Sequence, residues 1–294
     1  VDEFDIFHDN QSISSYPETV LKKLVTTLHH PIHVDKEIDL TSEKSFLKKL
    51  SIKRWYSFLN FQKKNLKAVK KVISPSLSSK NDICRYFDYP SKNISVIWNG
   101  INLDDCKFHQ RGSFNANFVT IISADVPMKN LKTVLKALYL LKQEGINAKL
   151  TIVGDLREDN NKLIDRLGLT KEIIYKSKLP RKQLIQSLNN ADIGIAPSKY
   201  EGFGFPLVEM IATGLPVIVS DKASLPELAG NAGLIFNSSD SNDLKEKMKE
   251  LIENAALRNK VAENSKLRRD DFFGWDEYAK KLEDLYKEII SGNI

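Results

Sequence analysis

The chain has 294 residues, 41% of them hydrophobic, enough for one large or two ordinary domains with real cores. Its formal net charge is +6, and no apolar run approaches the roughly 18 residues of a membrane-spanning helix. The two cysteines, Cys84 and Cys106, stand in no metal or redox spacing, so a reduced cytoplasmic compartment is expected, with Cys84 a small buried hydrophobe.

In chain order, Phe4 to His8 reads as a short strand, followed by a polar turn at His8–Gln11. Leu24 to Leu28 is a second strand, ending in Thr27-Leu28-His29-His30-Pro31. Helical pattern runs from about Ser42 to Lys70. Val72 to Ser74 is a strand, Ser76 or Ser78 caps a helix over 79–87, and Ile94 to Ile97 is a strand ending at Trp98-Asn99-Gly100. Asp104 to Asn117 is the expected linker, with Asn99-Gly100 a turn leading into it. A second alternating series follows. Strands are expected at 118–123, 149–153, 172–175, 193–196, 216–219 and 233–236, with helices at 130–143, 160–167, 181–189, 206–212, 240–253, 257–269 and 275–290. Strands alternating with helices predict an α/β chain of two Rossmann-like parallel-sheet domains, with ligands at the C-terminal ends of the strands. The expected domains are 1–107 and 108–272, with the last helix, 275–294, packing back on the first.

Charge is unevenly spread. Lys44 to Lys71 contains no acid, ten Lys or Arg residues, and interleaved Phe46, Leu47, Leu50, Trp55, Phe58, Leu59 and Phe61. A basic, aromatic, amphipathic helix suits an anionic membrane surface; the plain alternative is a core-facing helix with a solvated basic back. No nucleic-acid motif is present, so nucleic acid is not an expected partner.

The stretch Ala196–Gly230 is a strand–loop–helix–strand unit. Glu201 lies on the loop, Gly202, Phe203, Gly204 and Phe205 follow, Pro206 suits the first helical position, and Glu209 falls in the helix eight positions after Glu201. A helix N-terminus behind a glycine loop presents N–H groups and a positive dipole end to an anion. The two acids with GFGFPLV between them, and Ser224-Leu225-Pro226-Glu227 beyond, resemble the E-x7-E signature of the retaining family 4 glycosyltransferases of GT-B fold, the group with glycogen-synthase-like and sucrose-synthase-like members. The TTLHHP, SPS and WNG segments resemble that family's first domain.

The resemblance implies a retaining glycosyltransferase that moves a sugar from a nucleotide-diphosphate donor to a glycan or lipid-linked acceptor, in cell-envelope polysaccharide synthesis on the inner face of a membrane. It implies Lys129, in Pro127-Met128-Lys129-Asn130, as the donor-phosphate lysine and Glu209 as the ribose ligand. It places Glu201 and one of His29 and His30 near the transferred sugar, His29 being the first candidate, and the 177–181 loop with Lys178 and Leu179 beside the base. No cofactor beyond the donor substrate is implied. No D-x-D tripeptide or other metal site is present, and neither G-x-G-x-x-G nor G-K-[ST] occurs after a strand. Two departures stand out. The family's usual G-R pair is replaced by Ser123-Ala124-Asp125, removing a phosphate arginine for which Lys178 or Arg181 is placed to compensate. The first domain also enters at what looks like its fourth strand, short of about 80–100 residues for a domain of ordinary size. The alternative is therefore an impaired nucleotide-sugar-binding subunit needing a partner or a missing segment; a GT-B epimerase or phosphorylase is a third reading, but no cofactor-lysine motif is found for the phosphorylase.

Overall fold

The computed structural model describes residues 3–13, 15–123 and 125–292. The chain divides into two compact units, one running up to Gly100 and resuming at Gly274, the other Ile101–Phe273. The first part of the chain forms β1 (Phe7–Asn10), α1 (Glu18–Leu21), β2 (Leu24–Thr27), α2 (Ile32–Ser42), α3 (Phe46–Trp55), α4 (Leu59–Leu66), β3 (Lys71–Ser74), α5 (Leu77–Phe87) and β4 (Ile94–Val96). The second unit forms β5 (Asn117–Ile122), α6 (Leu131–Gln143), β6 (Lys149–Gly154), α7 (Glu158–Arg166), β7 (Ile173–Lys176), α8 (Arg181–Asn189), β8 (Ile193–Ala196), α9 (Phe205–Ala212), β9 (Val217–Ser220), α10 (Leu225–Ala229), β10 (Gly233–Phe236), α11 (Ser241–Glu253) and α12 (Ala255–Arg269). The chain then returns to the first unit as α13 (Trp275–Ile290).

In the first unit the sheet order is β1-β2-β3-β4, all parallel. β2 and β3 are buried throughout, as strands covered on both faces must be. Leu24, Leu66, Val72, Ile83 and Phe87 make one core, with Cys84 half-buried against it. Leu285 and Ile289 of α13 pack on Val25 and Ile73 in another. A Cβ at Gly100 would sit 2.8 Å from Trp275 Cα, so only glycine lets the strand exit pass the start of α13.

Three expectations need correction here. The first strand is Phe7–Asn10, not 4–8: its polar residues are satisfied within the sheet, His8 Nε2 by Thr27 Oγ1 at 2.8 Å and Asp9 Oδ2 by Thr26 Oγ1 at 3.2 Å. The single helix over 42–70 is three shorter pieces. Glu43 is extended (φ −85°, ψ 134°), Ser45 starts α3 by accepting from Lys48 N, and a 3₁₀ turn at Tyr56–Phe58 separates α3 from α4. Residues 101–107, read as part of the first domain, belong to the second unit, where Ile101 N donates to Phe273 O at 2.9 Å and Cys106 is fully buried. Of the two serines offered as a cap for α5, Ser76 does it, accepting from Ser79 N at 3.0 Å.

The second unit carries a six-stranded parallel sheet of order β10-β9-β8-β5-β6-β7. Phe118, Ile152, Ile193 and Ile218 from the sheet meet Val134, Leu138, Leu244 and Met248 from α6 and α11 in its core. The linker is not loose: Arg111 donates to the carbonyls of Ala191 at 2.9 Å and Thr213 at 3.1 Å. The strand order reverses between β5 and β8, and in open parallel sheets that reversal is where connecting loops part and a ligand crevice opens at the strand C-termini.

Candidate functional site

The reversal point brings a lysine, a serine and a glutamate together. Lys129 follows β5 in a 3₁₀ turn, and Ser198 and Glu201 follow β8. Lys129 Nζ donates to Glu201 Oε1 at 2.7 Å, and Ser198 Oγ donates to the same oxygen at 2.7 Å. Both side chains of the ion pair are largely buried, at 13% and 18% exposed. Backbone bonds fix the pair: Lys199 N donates to Met128 O at 2.7 Å, tying the two loops directly. Asn130, in the left-handed region at φ 56°, spans from Pro197 O at 3.0 Å to Ser238 O at 2.8 Å.

The glycine turn is equally fixed. Ser224 Oγ lies 2.9 Å from Glu201 O and 2.8 Å from Phe203 O, between which it donates. Phe203 is buried and meets the Phe205 ring edge-on at 5.3 Å. Gly204 takes φ +94° to start α9, a conformation that L residues rarely adopt, and a Cβ there would press on Leu225 Cδ2 at 3.1 Å.

Glu209 lies on α9 with 14% of its side chain exposed. Arg181, the first residue of α8, directs Nη1 at its carboxylate, Nε at Asp105 Oδ2 (3.2 Å) and Nη2 at Cys106 Sγ (3.3 Å). Burial pushes the Glu209 carboxyl above the usual range, and the Arg181 contact only partly reverses this. Arg181 is engaged with Glu209; the position of the missing phosphate arginine, Ala124, lies outside the described residues. Lys178 is exposed and left-handed (φ 50°) and Leu179 half-buried, on the loop between β7 and α8.

In the first unit, His29 and His30 lie past the end of β2, so strand alternation does not choose between them. Their partners differ. His29 Nε2 meets Asn10 Oδ1 at 2.9 Å at the C-terminal end of β1, and its backbone N–H donates to Gln11 Oε1 at 2.9 Å. His30 Nε2 turns to Asp35 on α2 at 3.0 Å. Burial, then the neighbouring His30, lowers the His29 pKa, favouring neutral imidazole. Beside it, burial pushes the Asp9 carboxyl up, but hydrogen bonds from Ser12, Ile13 N–H, Thr26 and Tyr16 outweigh that and hold it below the carboxylate range.

Ser198, Asp105 and the pairing of Arg181 with Glu209 are not among the features the sequence predicts. Ser198 had a signal, a hydroxyl three positions before Glu201 at a strand exit. Arg181 and Glu209 are 28 positions apart, with no periodicity to link them.

Among the described residues no three His, Cys, Asp or Glu side chains gather to hold a metal ion, and no helix is long and apolar enough to cross a membrane. The sequence profile of glycosyl transferases group 1 matches residues 107–268, and that of glycosyltransferase family 4 matches residues 2–105. The chain belongs to the group 1 glycosyltransferases. It is 29% identical to an MMP α-(1→4)-mannosyltransferase of Mycolicibacterium hassiacum, over 98% of this chain and 72% of that one. It spans 50–65% of the length of seven other curated relatives it matches. Its fold is that of GT-B enzymes: sucrose-phosphate synthase from Thermosynechococcus elongatus superposes with a TM-score of 0.78 at 17% identity, over 99% of this chain and 75% of that chain. Anabaena HepE, solved in complex with UDP and glucose, gives 0.72 at 17% identity over 97% and 78%.

Proposed function

We propose that this group 1 glycosyltransferase moves a hexosyl residue from a nucleotide-diphosphate sugar to a glycan or lipid-linked acceptor, with retention and without a metal. The observation that carries the reading is the Lys129–Glu201–Ser198 cluster at the sheet reversal, with Glu209 and the Gly204 turn on the adjoining helix. A departing diphosphate needs cationic and dipolar support, which Lys129 and the start of α9 supply. Glu209, largely buried and with the acceptor capacity of a carboxylate beyond its Arg181 contact, suits the two ribose hydroxyls.

The geometry argues against Glu201 as nucleophile. Its Oε1 already accepts from both a lysine and a serine, so its role is to hold Lys129 and balance charge near the sugar. The reaction is then front-side. The C1–phosphate oxygen bond breaks, the acceptor oxygen bonds C1 on the same face, and the acceptor proton goes to the leaving phosphate oxygen. His29, neutral and at a strand C-terminus, serves as a hydrogen-bond partner for a sugar hydroxyl. The mannosyltransferase relative and the UDP- and glucose-bound neighbour put GDP-mannose and UDP-glucose first among donors to try.

We also place the chain at an anionic membrane face through α3. Phe46, Leu47 and Trp55 are 73%, 76% and 75% exposed among Lys48, Lys49, Lys53 and Arg54, so these apolar side chains are not core-facing. The test of the reaction is proton NMR of the product: the donor's anomeric configuration is kept, and the rate is unchanged by EDTA. An inverted product, or turnover that EDTA abolishes, overturns it.

A further inference from the structure

Arg181 is not part of the motif that identifies the chain, yet its guanidinium hydrogen-bonds the Glu209 carboxylate. Each of its three guanidinium nitrogens already has an acceptor: Glu209, Asp105 and Cys106 Sγ. Three of its five N–H groups are thereby engaged in holding it in place. Its planar fork fixes direction, which the single-point charge of a lysine would not. The anchors come from different places. Asp105 and Cys106 lie on the segment before β5, Arg181 opens α8, and Glu209 is on α9. Cys106 is fully buried, so the guanidinium is pinned to a fixed wall. Its other side borders a cavity of about 600 Å³ lined by Asp105, Lys182, Ile185, Gln186 and Asn189, so shortening the side chain opens no hole in the core.

We infer that Arg181 is a positioning residue that sets the Glu209 carboxylate for ribose, and thereby determines selectivity for ribonucleotide over 2′-deoxyribonucleotide donors. This rests on the reading of Glu209 as the ribose ligand. With one oxygen turned to Arg181, the carboxylate is held in one rotamer, and its remaining lone pairs face a fixed direction. A site built around a substrate hydroxyl rejects the analogue lacking it, because its own polar group is then left unpaired. A carboxylate free to rotate finds water instead and discriminates less.

The test is calorimetric titration of the intact chain with UDP, GDP and ADP and with their 2′-deoxy counterparts, taking the base that binds most tightly. The wild-type protein is expected to favour the ribose form by about tenfold or more, the equivalent of one charge-assisted hydrogen bond. Arg181→Gln narrows that ratio to about threefold or less while the protein still melts cooperatively, and Asp105→Asn, which loosens the guanidinium without removing it, narrows it part-way. A merely structural role would weaken both nucleotides equally and leave the ratio in place. A wild-type ratio of ten with an unchanged ratio in both variants overturns the role of Arg181 alone. A wild-type ratio near one overturns the ribose reading of Glu209, and this inference with it. Should Arg181→Gln fail to fold, the Asp105→Asn ratio decides.

Discussion

Lys129 and Glu201 are each other's counter-charge, so removing either leaves a largely buried charge uncompensated. Lys129→Ala is expected to cut turnover by about 10²–10³-fold, the cost of losing one preorganised contact to developing charge. Glu201→Gln keeps an oxygen for Ser198 and Lys129, and should lose less than Glu201→Ala; steady-state kinetics on the three variants orders them. A different residue is strained rather than charged. Ala223 holds φ 52°, where an L side chain costs about 1–2 kcal/mol, and Ser224 beside it ties down the glutamate loop. Ala223→Gly should therefore hold or raise the melting temperature, a shift read by calorimetry. The acids and the lysine were legible in the sequence because each lies at a strand exit with loop residues of fixed type around it. The contacts that fix them were not: Asn130 reaches Ser238, and Arg181 reaches Glu209, across distances for which sequence has no period.

Helices in the second unit are joined by a charge clamp. Glu144, just past α6, accepts from Lys245 at 2.6 Å and Lys249 at 2.8 Å on α11. The Lys245 contact first, and the Lys249 contact second, pull the Glu144 carboxyl from its ordinary 4.5 down to about 2. A depressed carboxyl stabilises the fold above its unfolded value and loses that contribution on acidification, here between about 4.5 and 2. Glu144→Gln should flatten the acid limb of the stability curve in that window, measured by denaturant unfolding across pH. At the start of α11, Asp240 accepts from Asn242 N at 2.8 Å, and Asp240→Ala should cost about 1 kcal/mol by the same measurement. Most second-unit helices are readable from apolar spacing, with boundaries within two residues; the five-residue α10 and, in the first unit, α1 and α2 are not. The 42–70 region failed because its spacing is shared by consecutive short helices: Glu43 breaks the chain there with no proline or glycine to announce it.

Over the whole molecule, alternation of strand and helix signals two parallel sheets, because each crossover needs a covering helix. The order β10-β9-β8-β5-β6-β7 is not written in any local pattern; it follows from which strands can be covered on both faces, and it creates the reversal where the charged cluster gathers. The four-stranded order of the first unit runs one way and has no such reversal among its described strands. The basic, aromatic α3 adds a surface whose binding to vesicles with phosphatidylserine should weaken as salt rises and vanish on reversing Lys48, Lys49 and Lys53 to Glu; binding that survives both changes would rule out that face. The central claim is that the second unit holds a nucleotide-sugar through Lys129 and Glu209 and activates it. It is tested most directly by nucleoside-diphosphate release from a panel of UDP-, GDP- and ADP-sugars by the wild-type, Lys129→Ala and Glu209→Ala proteins. The account predicts release from one donor by the wild-type protein and a loss of about a hundredfold or more in each variant; variants that release nucleotide at the wild-type rate would contradict it.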